Sequence, residues 1–135
     1  MVSVAAPKRA ARPAGISANS SGTYEGLKIL RNHIHHTNGT GEGMYLGCNS
    51  NGCRVANSLI EGNYVHHTNG PNVSQGDGIE LKEGSYGNTI RDNVIHDTNY
   101  PGIITYSTVG NGAANVIEGN VTGVAAFECE KATKK

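Results

Sequence analysis

Between residues 24 and 124, aliphatic residues alternate with polar ones in short stretches, and the stretches themselves recur. Four of them run Leu27-Lys28-Ile29-Leu30-Arg31, Ser58-Leu59-Ile60-Glu61-Gly62, Asn88-Thr89-Ile90-Arg91-Asp92 and Asn115-Val116-Ile117-Glu118-Gly119. Each leads into an Asn (Asn32, Asn63, Asn93, Asn120), with an Ile three residues before it and Ile34, Val65, Ile95 or Thr122 two residues after it. Alternation of period two on both sides of a fixed polar residue predicts two short strands flanking a bend. A further strand recurs downstream, opened each time by Gly: Gly43-Met44-Tyr45-Leu46, Gly78-Ile79-Glu80-Leu81-Lys82 and Gly102-Ile103-Ile104-Thr105-Tyr106. No segment carries the spacing of an amphipathic helix.

The lead Asn residues are 31, 30 and 27 positions apart, so loops of variable length hang from a constant frame. Strands repeating at such a period with no helix between them stack on their own copies in the next coil, about 4.8 Å away. The expected fold class is therefore all-β, a parallel β-helix of about three to four coils occupying residues 23–125. Residues 1–22 read as a disordered or extended lead-in and 126–135 as a charged tail. The inward columns are Ile29/Ile60/Ile90/Ile117, Ile34/Val65/Ile95, Met44/Ile79/Ile103 and Leu46/Leu81/Thr105. At roughly 1.5–3 kcal/mol per fully buried aliphatic, these columns supply most of the driving force. The Asn column is expected to form an amide ladder at the bend, each side chain bonded to those above and below.

Composition agrees with a turn-rich solenoid: 19 Gly, one Phe and no Trp in 135 residues. The zero net charge hides a mildly acidic repeat body, with five Lys/Arg against nine Asp/Glu between Tyr24 and Val124. No basic stripe tracks a phosphate backbone, which argues against nucleic acid, and no apolar run suits a membrane span. The N-terminus lacks the apolar core of a secretion signal. Three Cys are present; Cys48 and Cys53 flank Asn-Ser-Asn-Gly and are either a local clip or two unrelated thiols, with Cys129 left over.

Candidate chemistry lies on the Gly-opened strand. With Ile79 and Leu81 inside, alternation turns Glu80 and Lys82 to the outer face. Superposed coils place Tyr45, Glu80 and Ile104 in one outer column and Gly47, Lys82 and Tyr106 in the next, while Glu42, Asp77 and Pro101 begin the strand. Phenol rings beside acid and base groups suit the face of a sugar. The plainer expectation is that Glu80 and Lys82 form a solvated surface ion pair.

The pattern Ile-x-x-Asn-x-Ile, followed by Asp-Gly-Ile-Glu-Leu-Lys, resembles the right-handed parallel β-helix family of polysaccharide lyases and uronan C5-epimerases (pectin lyase-like repeats). The likeness covers about residues 24–124. A leucine-rich repeat also uses an Asn ladder, but its run of Leu positions is missing here. The resemblance implies a secreted or cell-surface protein acting on, or binding, an acidic polysaccharide with help from Ca²⁺. By position Lys82 resembles the base that removes the C5 proton, and Asp77, Glu80 and Glu42 resemble the metal-binding acids. Tyr45 and Glu80 would contact substrate. The family's catalytic Arg has no counterpart in Ile104-Thr105-Tyr106, and Tyr106 is our substitute for the acid. The alternative is a non-catalytic glycan-binding or structural segment. With no capping helix in view, the chain reads as part of a longer protein or as a protomer that self-associates through its open ends.

The repeated phrase also stacks His35, His66 and His96 in one column and His36, His67 and Asp97 in the next. Such columns can ligate a transition metal or sense pH. Since neighbouring strand residues face opposite ways, only one column is expected outside, and a turn-stabilising ladder is the simpler role.

Overall fold

Ile29 pairs with Ile60, Ile60 with Ile90 and Ile90 with Ile117, so the register set by the repeated Asn is the register of the molecule. The structure is a computed structural model that describes residues 2–5 and 14–123. It is an all-β, all-parallel solenoid of about four turns. One sheet stacks β1 (Val2–Ala5), β5 (Asn32–His35), β9 (Tyr64–Thr68), β12 (Val94–Thr98) and β15 (Val121–Thr122). A second stacks β2 (Ala14–Ala18), β6 (Glu42–Leu46), β10 (Ile79–Leu81) and β13 (Ile103–Thr105). A third holds β4 (Lys28–Leu30), β8 (Leu59–Glu61), β11 (Thr89–Arg91) and β14 (Val116–Glu118). A short pair, β3 (Gly22–Glu25) with β7 (Cys53–Ala56), closes the remaining side.

Strands reach into the segment read as a lead-in, for β1 pairs with β5 and β2 with β6. The expected tail at 126–135 and Cys129 lie outside the described residues.

The inward columns are buried as expected, from Ile34, Met44, Leu46 and Ile60 through Ile79, Leu81 and Ile90 to Ile103. Ile117, in the last turn, is only partly buried. Val55 on β7 joins the core from the fourth side, a position the alternation between Cys53 and Ala56 left unassigned.

Two polar ladders hold the bends. In the first, Oδ1 of Asn63 accepts from the backbone N–H and the side-chain amide of Asn32, at 2.8 and 3.0 Å. Asn93 serves Asn63 in the same way, and Asn120 serves Asn93. Each Nδ2 also donates to a backbone carbonyl one coil back, Ile29, Ile60 or Ile90. The second ladder runs Leu27 N–H to Ser58 Oγ, Ser58 N–H to Asn88 Oδ1 and Asn88 N–H to Asn115 Oδ1. Groups that a bend removes from the strand ladder are thus satisfied without water.

The Gly that opens each strand of the second sheet is a packing requirement. A Cβ on Gly43 would lie 2.5 Å from the Gly78 carbonyl oxygen and 2.6 Å from Val65 Cγ1. On Gly78 it would lie 2.4 Å from the Gly102 carbonyl oxygen and 2.7 Å from Ile95 Cγ2. Backbone here runs directly over the Val65/Ile95 column, and this close approach fixes the residue just before each Gly, Glu42 or Asp77.

Candidate functional site

The outer face of β6 and β10 carries the candidate groups in the columns expected. Glu80 pairs with Tyr45 on one side and Ile104 on the other. Gly43 N–H donates to the Asp77 carbonyl and Gly78 N–H to that of Pro101, placing Glu42, Asp77 and Pro101 in one column. An open cleft of about 430 Å³ runs along this face, lined by Glu42, Tyr45, Glu80, Lys82 and Tyr106 together with Asn19, Thr40, Asn49 and Gln75.

One expectation is corrected. Glu80 and Lys82 leave the core as alternation requires, but they are not solvated, retaining only 3% and 8% exposure. Lys82 Nζ lies 4.5 Å from the Tyr106 ring centre and 5.4 Å from that of Tyr45, and it donates to Glu80 Oε2 at 3.0 Å. The two phenol rings therefore screen the pair from water and add cation–π attraction. The Tyr106 hydroxyl also donates to Glu80 Oε2, at 3.4 Å. One carboxylate oxygen thus gathers both groups assigned to proton transfer.

Beside this pair three carboxylates converge. Glu42, Asp77 and Glu80 each bring one oxygen within 4.8 Å of the others, and all three residues are buried. Glu42 Oε1 accepts from Thr40 Oγ1 at 2.8 Å, but Glu42 Oε2, Asp77 Oδ1 and Glu80 Oε1 are buried with no hydrogen-bond partner. Burial, then the neighbouring Glu80 and Glu42, pushes the Asp77 carboxyl up to about 7. Burial likewise raises Glu42. Three carboxylates at this separation, with one ammonium, cannot all stay ionised away from water unless further positive charge joins them. The donors are all oxygen, which suits a hard divalent cation such as Ca²⁺ and not a soft metal. Calcium therefore fits the residues present.

Burial also raises the Tyr45 hydroxyl, whose O–H donates to Asn49 Oδ1 at 3.4 Å. Asn49 sits in the loop closed by a disulfide between Cys48 and Cys53, with 4.8 Å between their Cα atoms. The clip fixes one rim of the cleft. Asn49, Gln75, Asn19 and Thr40 were not singled out from sequence. For Thr40 a signal existed, because it stands two residues before Glu42 and shares its side of the chain. The other three lie in loops whose course no periodicity records.

A second correction concerns the histidines. His36, His67 and Asp97 have φ of 53°, 55° and 55°, a left-handed kink that interrupts strand alternation. Both members of each pair therefore stand outside, and Thr37 and Thr68, the residues after the kink, turn inward and are buried. His and Asp are among the non-Gly types enriched in this conformation, which was the available signal.

No family model, curated protein or solved structure matches this chain in comparisons with known proteins.

Proposed function

We propose that this β-solenoid acts on an acidic polysaccharide at the cleft over β6 and β10, with a calcium ion held by Glu42, Asp77 and Glu80. The observation that carries this reading is the set of three buried carboxylates, each with an oxygen lacking any partner, next to a lysine enclosed by two tyrosines. Repeat pattern and parallel solenoid together make the pectin lyase-like lyases and C5-epimerases the family whose chemistry best suits the site. Bound calcium would offset the carboxylates and make the α-proton of a uronate more acidic.

The chain's own residues supply the rest. In β-elimination the Lys82 amine, after its ammonium proton has passed to solvent, takes the C5 proton, and the C5–H electron pair becomes the C4–C5 double bond. The C4–O4 bond then breaks, and its electrons go to the leaving glycosyl oxygen, which takes a proton from the Tyr106 hydroxyl. Exchange with water returns the proton from Lys82 and restores the one lost by Tyr106. Glu80, bonded to both, holds base and acid at one height along the cleft. Tyr45 offers a flat ring to the sugar face. The disulfide supports an oxidising, extracellular setting.

A second reading, glycan binding without turnover, draws support from the tight enclosure of Lys82, whose side chain keeps only 10% of its surface. The two separate in one experiment with polyuronates of defined composition. Turnover by elimination gives the ultraviolet absorbance of an unsaturated uronate and turnover by epimerisation gives solvent deuterium at C5, and either is abolished by chelator or by Lys82→Ala. Binding alone gives neither signal and an affinity that depends on Tyr45 and Tyr106. Full activity in chelator, or in Lys82→Ala, rejects the catalytic reading.

A further inference from the structure

All six histidines of the chain lie on one sheet, the outer face of β5, β9 and β12 and the kinks that follow them. They form rungs. His35 Nδ1 faces His36 Nδ1 at 2.9 Å, and one coil on His66 Nδ1 faces His67 Nδ1 at 2.6 Å. In the third coil His96 Nδ1 faces Asp97 Oδ2 at 2.6 Å. A pair of ligand-type atoms is thus presented three times, nitrogen with nitrogen in the first two coils and nitrogen with oxygen in the third, each time because the second residue is left-handed. The rungs stack with nearly parallel rings: His35 on His66 at 5.4 Å, His66 on His96 at 5.2 Å and His36 on His67 at 4.9 Å.

The middle rung is the most constrained. His66 Nε2 also meets His33 Nε2, at 2.7 Å, so both nitrogens of His66 face another imidazole nitrogen. Packing orients the ring before any ligand arrives. Burial and the surrounding imidazoles also lower His66, to about 4, so at neutral pH it is the uncharged base that a metal requires. Asp97 Oδ2 approaches His67 Nε2 from the next coil at 3.9 Å, placing negative charge beside the rung.

We propose that the His66/His67 rung is a chelating site for a late divalent transition metal ion of the copper, nickel and zinc class, bound through two imidazole nitrogens with water completing the coordination. Imidazole donors select such ions over calcium or magnesium, so the molecule sorts cations by donor type: oxygen at the carboxylate cleft, nitrogen on this sheet. Rungs about 5 Å apart are too close for two divalent ions to bind equally well, because their mutual repulsion is strong at that distance. One ion per ladder is therefore the first binding step. The inference is independent of the polysaccharide reading.

The test is titration of the tag-free full chain with Cu(II) in excess Ca²⁺ at pH 7.5, read by electron paramagnetic resonance and by competition with a chelating dye. The expected result is one Cu(II) per chain with hyperfine splitting from two nitrogens. His67→Asn keeps a residue type that tolerates the left-handed kink, and His66→Phe keeps the stacked ring, so both variants should fold, which circular dichroism checks. In a His36→Asn background, which removes the nitrogen pair of the first rung, each should lose one nitrogen from the spectrum and weaken binding by roughly 10–100-fold. Asp77→Asn should leave the copper spectrum unchanged. An oxygen-only spectrum, or folded His66→Phe and His67→Asn variants that bind Cu(II) like their His36→Asn parent, would overturn the proposal and leave the histidines as a ring-stacking ladder.

Discussion

Lys82 Nζ and Glu80 Oε2 are 3.0 Å apart, with 10% and 5% of their side-chain surfaces exposed. Enclosed pairs of this kind resist loss of one partner far more than loss of both, because a lone buried charge has nothing to compensate its desolvation. Lys82→Met should therefore destabilise the fold by about 3–5 kcal/mol in chelator. The double variant Lys82→Met/Glu80→Gln should recover most of that loss. Urea denaturation of the two variants decides the matter, and equal instability of single and double would show that the pair is not coupled.

The carboxylate triad makes stability depend on cation and pH together. A group raised in the folded state binds protons more tightly there than in the unfolded chain, so stability falls as pH rises between the two pKa values. For Asp77, raised from 3.8 to about 7, that window runs from about 4 to 7 in the absence of metal. At about 1.4 kcal/mol per unit the loss approaches roughly 4 kcal/mol by pH 8. Calcium should reverse it, raising the melting temperature strongly at pH 8 and little at pH 5. At 100 times its dissociation constant the gain is about 2.7 kcal/mol. Asp77→Asn should melt higher than the parent in chelator at pH 8 and respond weakly to calcium. A calcium response of equal size at pH 5 and pH 8 would contradict this account.

The histidine ladder carries a slope of the opposite sign. His66, lowered from 6.5 to about 4, binds fewer protons folded than unfolded across that interval, so its contribution to stability is lost as pH falls through it. Asp77 and His66 thus oppose each other over nearly the same range. In chelator the parent should show a shallow dependence of melting temperature on pH between 4 and 7. Asp77→Asn should unmask acid lability, and His66→Phe should unmask loss of stability towards neutral pH. Parallel profiles for the two variants would refute the opposition.

Much of this fold was legible because a repeat fixes register without any knowledge of loops. The Ile three residues before each Asn and the aliphatic two residues after it placed two sheets correctly, and the Gly-opened strands placed a third. The same register put Tyr45, Glu80, Lys82, Tyr106 and Glu42 around one cleft, with Asp77 joining Glu42 and Glu80 in the carboxylate cluster beside it. What alternation does not carry is depth and backbone hand. Side-chain direction put Glu80 and Lys82 outside, but whether water reaches them depends on Tyr45, Tyr106 and the clipped loop, which the period does not describe. Similarly, period two fails at His36, His67 and Asp97 because a single positive φ turns two consecutive side chains to the same side.

The Asn ladder offers the clearest separation of fold from function. Asn93 Oδ1 accepts from both the backbone and the side chain of Asn63, and its Nδ2 donates to the Ile60 carbonyl and to Asn120. Asn93→Ala leaves the Asn63 N–H and the Ile60 carbonyl buried without these partners, and each such group costs about 1–3 kcal/mol. A loss of roughly 2–5 kcal/mol is expected, against less than about 1 kcal/mol for Asn99→Ala, whose residue is exposed. Because Asn93 lies on a bend away from the cleft, the folded fraction of Asn93→Ala should bind calcium with parental affinity. Isothermal titration below the variant's melting temperature measures this directly. Weakened calcium binding by folded Asn93→Ala would mean that the ladder, and not the Gly43/Gly78 approach, sets the position of Glu42 and Asp77.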